Sequence, residues 1–257
     1  MLKLNDKVAI ITGGNSGIGE ATAKLFAKQG AAVVLVARRA DKLVAVADEI
    51  TAAGGRALAV PGDVTDPATA VTVCEEAIKK FGKIDILVNS AGAGDYTRPI
   101  TGVTDEFFDE IVKVNQYGVF YMCREVLKYM APVHSGAIVN ISSVGGVFHN
   151  SGFSYAAAKS AVIGMTRNMA MQFAAEGIRI NAVCPGGTQT PMIEAMNNPE
   201  LLMDCDKQFS KITGRHFNFR LPMCTAEEQA NTVLFLASDE ASGITGQYLV
   251  VDHGGWI

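Results

Sequence analysis

Short apolar runs recur along the chain, separated by stretches in which apolar residues return every three or four positions. The runs cover residues 8–11, 31–37, 56–60, 84–88, 136–141, 178–184 and 247–251. The run 31–37 is apolar throughout rather than alternating, as a parallel strand covered on both faces should be. The intervening periodicity predicts a first helix after residue 19 that is stopped by Gly30. It predicts further helices over 41–53, closed by Gly54 and Gly55, and over 67–81, with Pro67 in the first turn. A long helical region follows over roughly 104–130, then a helix from near Ser154 and one over 225–238. Strand and helix alternate with no Pro/Ser linker and no repeat. This order predicts α/β architecture in a single domain over 1–257: a doubly wound, mostly parallel, seven-stranded sheet with helices on both faces.

The first strand runs into Thr12-Gly13-Gly14-Asn15-Ser16-Gly17-Ile18-Gly19. A glycine-rich turn between a strand and a helix suits a pyrophosphate, because glycines let the backbone approach and the helix N-terminus offers free N–H groups. A Rossmann-type nucleotide site is therefore expected at Gly13, Asn15, Ser16, Gly17, Ile18 and Gly19. Folds that prefer NAD place an acid about 20 residues after the glycines, on the ribose 2′-hydroxyl. That point reads Ala37-Arg38-Arg39 and carries no carboxylate. A guanidinium fork fits a 2′-phosphate. NADP is favoured over NAD, with Arg38 the main contact, Arg39 second and Ser16 adding a hydrogen bond. The alternative is two solvated loop arginines ahead of a helix capped by Asp41. Asp63-Val64 after the third strand suits the adenine end, or is only turn chemistry. Asn89-Ser90-Ala91-Gly92-Ala93-Gly94 after the fourth strand again permits close cofactor approach.

Net charge is −4 with no long basic run, which argues against nucleic acid as a partner. The longest uninterrupted apolar stretch, 31–37, is far short of a membrane span, and the first seven residues lack a signal-peptide core. Five scattered cysteines read as reduced thiols of a cytoplasmic protein. His134, His149, His216 and His253 show no ligand spacing, so no catalytic metal is expected.

Tyr155-Ala156-Ala157-Ala158-Lys159 carries the reactive chemistry. Residues at i and i+4 share a helix face, so phenol and ammonium point the same way. Tyrosine ordinarily titrates near 10, and a close cation lowers that value. A drop of about three units needs about 4 kcal/mol, within reach of a partly desolvated lysine plus a cationic ring. Such a pair suits proton exchange with an alcohol or carbonyl.

The glycine turn, Asn89-Ser90-Ala91-Gly92, Asn115, Ser142-Ser143, Tyr155 with Lys159, and Pro185-Gly186 occur in the order seen in short-chain dehydrogenases/reductases. The resemblance spans essentially the whole chain. It implies a catalytic tetrad of Asn115, Ser143, Tyr155 and Lys159. The serine would polarise a carbonyl, the tyrosine exchange the proton, and the lysine lower the tyrosine pKa and hold the nicotinamide ribose. Asn115 would support a water relay through a local helix irregularity. Asn89, Ala91 and Gly92 would support the central strand and line the cofactor site; Pro185, Gly186, Thr188 and Thr190 would meet the nicotinamide end.

Three departures stand out. The usual Asn-Asn-Ala-Gly has Ser90 at its second position. The interval from Ser143 to Tyr155 is one residue short of the common spacing, which leaves Ser142 as an alternative to Ser143. His253 precedes the terminal glycines and could alter a subunit contact.

Residues 187–223 are expected to cover the substrate. Met192, Ile193, Met196, Leu201, Leu202, Met203, Phe209, Phe217, Phe219, Leu221 and Met223 would shape an adaptable apolar pocket, or half of them pack a small helix onto the core. A hydrophobic ketone or secondary alcohol is the favoured substrate, with Arg215, His216 and Arg220 leaving room for an acidic group. Apolar faces at 119–127 and 161–171 suit a symmetric homo-oligomer, a tetramer or dimer. The competing functions are an NAD-dependent alcohol dehydrogenase of the same fold and a nucleotide-sensing regulator without turnover.

Overall fold

The computed structural model describes residues 2–195, 198 and 205–256. All seven expected strands form: β1 (Val8–Thr12), β2 (Ala32–Ala37), β3 (Arg56–Pro61), β4 (Ile86–Asn89), β5 (Gly136–Ile141), β6 (Ile178–Pro185) and β7 (Tyr248–Val251). They lie in the order β3-β2-β1-β4-β5-β6-β7. Every pairing is parallel, so the sheet is wholly rather than mostly parallel. The helices are α1 (Gly17–Lys28), α2 (Ala40–Ala52), α3 (Pro67–Phe81), α4 (Asp105–Val112), α5 (Gly118–Met130), α6 (Val144–Phe148), α7 (Phe153–Phe173), α8 (Pro191–Ala195), α9 (Lys207–Gly214) and α10 (Ala226–Ala237).

Alternate strand residues feed two cores. Ala9, Ile11, Val33 and Leu35 pack against Phe26, Leu43, Ile50 and Val233 from α1, α2 and α10. Val8, Ile10, Val34 and Leu87 pack against Val73, Met122, Val126 and Val162 from α3, α5 and α7. Burial on both faces explains why β1 and β2 are apolar along almost their whole length.

Local chemistry sets the helix ends. Asp66 accepts from Ala68 N at 2.9 Å ahead of Pro67, and Gly82 closes α3 at φ 80°. Thr225 and Glu228 form a capping box on α10. α2 departs from expectation: Arg39 takes the N-cap position without a side-chain bond, and Asp41 sits in the first turn, where it meets the helix dipole. The region 104–130 is helical throughout but contains a π-helical turn, Lys113–Tyr117, between α4 and α5. α6 was not predicted, because Gly145 and Gly146 are poor helix formers. Packing selects them: a Cβ on Gly146 would lie 2.7 Å from the Lys159 carbonyl carbon, and one on Gly145 would lie 2.2 Å from Ser151 Oγ.

From β1 the chain winds outward through β2 and β3, then returns to place β4 on the other side. That reversal leaves a crevice beyond the carboxyl ends of β1 and β4, the usual ligand position in open α/β sheets.

Candidate active site

A cleft of about 600 Å³ occupies this crevice and runs along the carboxyl ends of β1 to β6. The glycine turn forms one wall. Gly13 and Gly17 have φ of 66° and 55°, where a side chain would be strained. A Cβ on Gly13 would fall 2.9 Å from both Ala91 N and Ser90 O. Thr12 Oγ1 locks the same contact by accepting from Ser90 N at 3.0 Å and Ala91 N at 3.1 Å. Asn15, Ser16, Gly17 and Ile18 line the cleft at the start of α1. Gly19 does not line it: a Cβ there would sit 2.2 Å from Gly13 O, so this glycine packs helix onto turn.

Arg38 and Arg39 line the far end of the cleft beside Ala37, with no carboxylate at the end of β2. With the Asn15 amide in the orientation that satisfies both groups, its oxygen accepts from Arg39 Nε at 3.1 Å and Nη2 at 3.2 Å. Arg38 is exposed. Asp63 makes the turn contact expected of it and also stands on the cleft. Its Oδ1 accepts from Thr65 N at 3.0 Å and Thr65 Oγ1 at 2.9 Å, a turn contact, and the residue also lines the cleft with Val64. Close backbone, a helix N-terminus and two guanidiniums fit a phosphorylated dinucleotide.

At the opposite end the structure brings together Ser143, Tyr155 and Lys159. Ser143 caps α6, its Oγ accepting from Gly145 N at 3.0 Å, and it lines the cleft together with Tyr155 and Lys159. Ser142 is separated from it by function: it is buried, and its Oγ donates to Lys159 O at 2.8 Å. The two serines follow one strand, so their side chains point to opposite sides.

Lys159 is buried, and its Nζ donates to Ile141 O at 2.9 Å. The ammonium lies 5.6 Å from the centroid of the Tyr155 ring. Burial pushes the lysine down to about 8 and pushes the tyrosine up to about 12, the second effect opposed by the Ser143 hydroxyl and reinforced by the Asp95 carboxylate. The expected lowering of the phenol by lysine is therefore absent from the chain by itself. Desolvation of the buried phenolate is the largest influence on the phenol and raises it.

Asn115 sits in the π turn, fully buried. Its Nδ2 donates to Ala93 O and Ile111 O, both at 2.9 Å, and its Oδ1 accepts from Ala93 N at 3.2 Å. It tethers the helix to the β4 loop and does not line the cleft; neighbouring Val114 does. Asn89 likewise lies behind the site. Its Nδ2 donates to Asn140 Oδ1 at 2.9 Å and Cys123 Sγ at 3.2 Å, and Asn140 donates on to Thr166. Asn89 supports the central strand as expected but is not a lining residue. Ala91, Gly92, Pro185, Gly186, Thr188 and Thr190 all line the cleft.

Sequence reasoning missed Asp95, Tyr96, Asn150 and Trp256. Only Asp95 left a signal, a carboxylate directly after the small-residue run. Of the expected cover, Met192 and Ile193 line the cleft, and Phe217 packs on Trp256 with centroids 5.2 Å apart. Phe209 and Leu221 are partly buried away from the cleft, and Met223 and Phe219 are exposed, Phe219 by 76 %. Arg215, His216 and Arg220 are exposed and do not line the cleft, so the room expected for an acidic group there is not found. Met196, Leu201, Leu202 and Met203 lie outside the described residues.

His253 gains partners that its sequence spacing hid. Its Nδ1 faces Pro222 O at 3.2 Å and its Nε2 faces Glu228 Oε1 at 3.1 Å, with Cys224 Sγ close by. An acceptor opposes each ring nitrogen, which favours an imidazolium–carboxylate pair, and the ring pKa is raised by those two contacts.

Fold and cleft together define a nucleotide-binding α/β oxidoreductase built around a Ser–Tyr–Lys group. Comparison with known proteins narrows the class. A family model described as enoyl-(acyl carrier protein) reductase matches residues 13–255. The chain is 39 % identical over 256 residues to 3-oxoacyl-(acyl-carrier-protein) reductase FabG of Thermotoga maritima, covering 98 % of this chain and 99 % of that protein. The crystal structure of levodione reductase superposes with a TM-score of 0.88 at 35 % identity, covering 98 % of each chain. That of 3-ketoacyl-(acyl-carrier-protein) reductase from Brucella melitensis, complexed with NADH, does so at 0.86 and 36 %, covering 99 % of this chain and 100 % of the other. The chain belongs to the short-chain dehydrogenase/reductase family. It is an oxidoreductase of ketones and alcohols.

Proposed function

We propose that the protein is an NADP-dependent reductase that interconverts an apolar ketone and its secondary alcohol, with Ser143, Tyr155 and Lys159 as the reacting groups. The convergence of Ser143, Tyr155 and buried Lys159 on one end of the cleft, with the ammonium 5.6 Å from the centre of the phenol ring, carries this reading. The nicotinamide, when bound, supplies or accepts the hydride. Ser143 Oγ donates to the carbonyl oxygen and holds it as negative charge develops. The Tyr155 phenol then gives its proton to that oxygen. Lys159, kept dry beside Gly92, adds positive charge near the ribose and the phenol. Asn115 acts behind them, holding the β4 loop rather than touching substrate. Buried in a dry site, the phenol keeps its proton until a developing alkoxide takes it.

Arg38, Arg39 and Ser16 support binding of a 2′-phosphate. The second reading, use of NAD, is favoured by the NADH complex of the Brucella relative. Fluorescence titration with NADPH and NADH separates the two. A preference of tenfold or more for NADPH, about 1.4 kcal/mol, is expected; equal or tighter NADH binding overturns the NADP assignment.

Met192, Ile193, Tyr96 and Trp256 give the substrate end its apolar and aromatic lining, and Gly187, Thr188 and residues 190–193 cover it. Turnover of a ketone panel with NADPH tests the enzymatic reading, and tight cofactor binding without turnover of any member favours a sensor. Exposed Tyr117 and Phe120 at the start of α5 and Met171 on α7 suit a symmetric homo-oligomer, which light scattering checks. No described helix is long and apolar enough to cross a membrane, and the cysteines are free thiols. Both observations are consistent with a cytoplasmic protein.

A further inference from the structure

We propose that Asp95 is a positioning residue for Tyr155, holding the first turn of α7 from a separate loop and so setting where the phenol stands against Ser143. The proposal rests on the reading of Tyr155 as proton donor. Asp95 follows the small-residue run after β4 and is 3 % exposed. No lysine, arginine or histidine among the described residues pairs with it. A buried carboxylate without a cation needs N–H donors. Asp95 Oδ2 accepts from Tyr155 N at 2.8 Å and Oδ1 accepts from Thr97 N at 3.3 Å.

The N-cap position of α7 is Gly152, which has no side chain to offer, and the first turn carries no acidic residue. Asp95 supplies the missing acceptor and the negative charge that a helix N-terminus favours. Gly152 is what admits it: a Cβ there would lie 2.3 Å from Asp95 Oδ1. Helix and carboxylate are thus fitted to each other, and the residue they hold is the tyrosine itself.

The same loop reaches toward the substrate cover. Tyr96 and Thr97 are held at φ 52° and 60°, a left-handed conformation that non-glycine residues adopt at a cost. Thr97 O accepts from Asp206 N at 2.9 Å, and Asp206 caps α9 through Phe209 N and Gln208 N. Asp95 therefore stands where the catalytic helix, the β4 loop and the segment 187–223 meet. Its charge also bears on the phenol. The titratable groups that face Tyr155 are Asp95, Cys184 on β6 and Lys159 on its own helix. Of these, Asp95 and then Cys184 oppose formation of the phenolate.

Two variants separate placement from charge. Asp95→Asn keeps an acceptor oxygen and removes the charge; Gly152→Ala keeps the charge and crowds the carboxylate off the helix. The readouts are circular dichroism, the Kd for NADPH, and 13C NMR titration of Tyr155 in cofactor-saturated protein labelled at tyrosine Cζ, with Tyr155→Phe giving the assignment. Asp95→Asn is expected to stay folded, bind NADPH within about twofold of the parent, and titrate Tyr155 at lower pH. Gly152→Ala is expected to keep NADPH binding and to change the Tyr155 chemical shift. With a ketone that the parent reduces, kcat should fall tenfold or more in Gly152→Ala with the KM for NADPH unchanged. An unchanged Tyr155 chemical shift and kcat in Gly152→Ala, or unchanged Tyr155 titration in Asp95→Asn, overturns the proposal. The NMR readout needs no turnover, so failure of the assigned reaction and failure of this inference are told apart.

Discussion

Lys159→Met should make the cofactor-free protein more stable at pH 7 while abolishing turnover. Burial lowers this lysine from 10.5 to about 8. At pH 7 the folded chain must therefore hold a charge that it disfavours by about 3 kcal/mol, at 1.36 kcal/mol per pKa unit. Methionine is similar in shape and removes that charge. It also leaves Ile141 O without the donor it has at 2.9 Å, a loss of about 1–2 kcal/mol. The balance is a gain of about 1–2 kcal/mol, or about 2–6 °C in Tm for a chain of this size. The sign against pH follows from the depressed folded value. Between about pH 8 and 10.5 the unfolded state binds more protons, so the parent gains stability as pH rises through that window. Lys159→Met has no such term, and its advantage should shrink by pH 10 and reverse above it. Urea denaturation of both proteins at pH 7 and pH 10, without cofactor, measures this. A variant less stable than the parent at pH 7, or a gap that does not change between the two pH values, would refute the reasoning. Confirmation would mean that the site holds a destabilising cation for its chemistry, the usual trade between stability and activity.

Four further outcomes are expected. Ser143→Ala should lower kcat by about 100-fold, the scale of a lost oxyanion donor, and cost about 1 kcal/mol of stability through the lost α6 cap. Ser142→Ala should cost a similar amount, about 1 kcal/mol, through the bond to Lys159 O with a much smaller fall in kcat; kinetics on the pair exchange the assignment if the pattern is reversed. Arg38→Asp should weaken NADPH by about 10- to 100-fold, the worth of a charge-assisted phosphate contact, and leave NADH within about threefold, measured by fluorescence titration. His253 has a raised folded pKa, so the stability it contributes is complete below its unfolded value near 6.5 and is lost as pH rises through the folded value. His253→Ala should remove that decline in a Tm-against-pH series, and a parallel series for both proteins would count against the imidazolium pair.

Local pattern determined the elements. Val33, Val34 and Leu35 are apolar in succession because their strand is covered on both faces, and that is visible without coordinates. The turn from Gly13 to Gly19 and the four-residue step from Tyr155 to Lys159 are likewise local. Each encodes backbone approach or a shared helix face within a few residues. The arginines after β2 needed only a count from the glycines.

What joins distant residues was decided by packing. Both Ser142 and Ser143 fit the motif, and only the meeting of β5 with α7 turned one hydroxyl to Lys159 O and left the other residue on the cleft with Tyr155. Asn115 and Asn89 read as cleft residues by motif, yet their amides are taken up by Ala93, Ile111 and Asn140 behind it. Asp95 and Gly152 are 57 residues apart in the chain and take their roles from a contact that exists only in the folded state. The electrostatics of the pair at 155 and 159 follow the same rule. Sequence placed the phenol and the ammonium on one helix, but burial, a property of the whole fold, set their proton affinities in directions that adjacency did not predict.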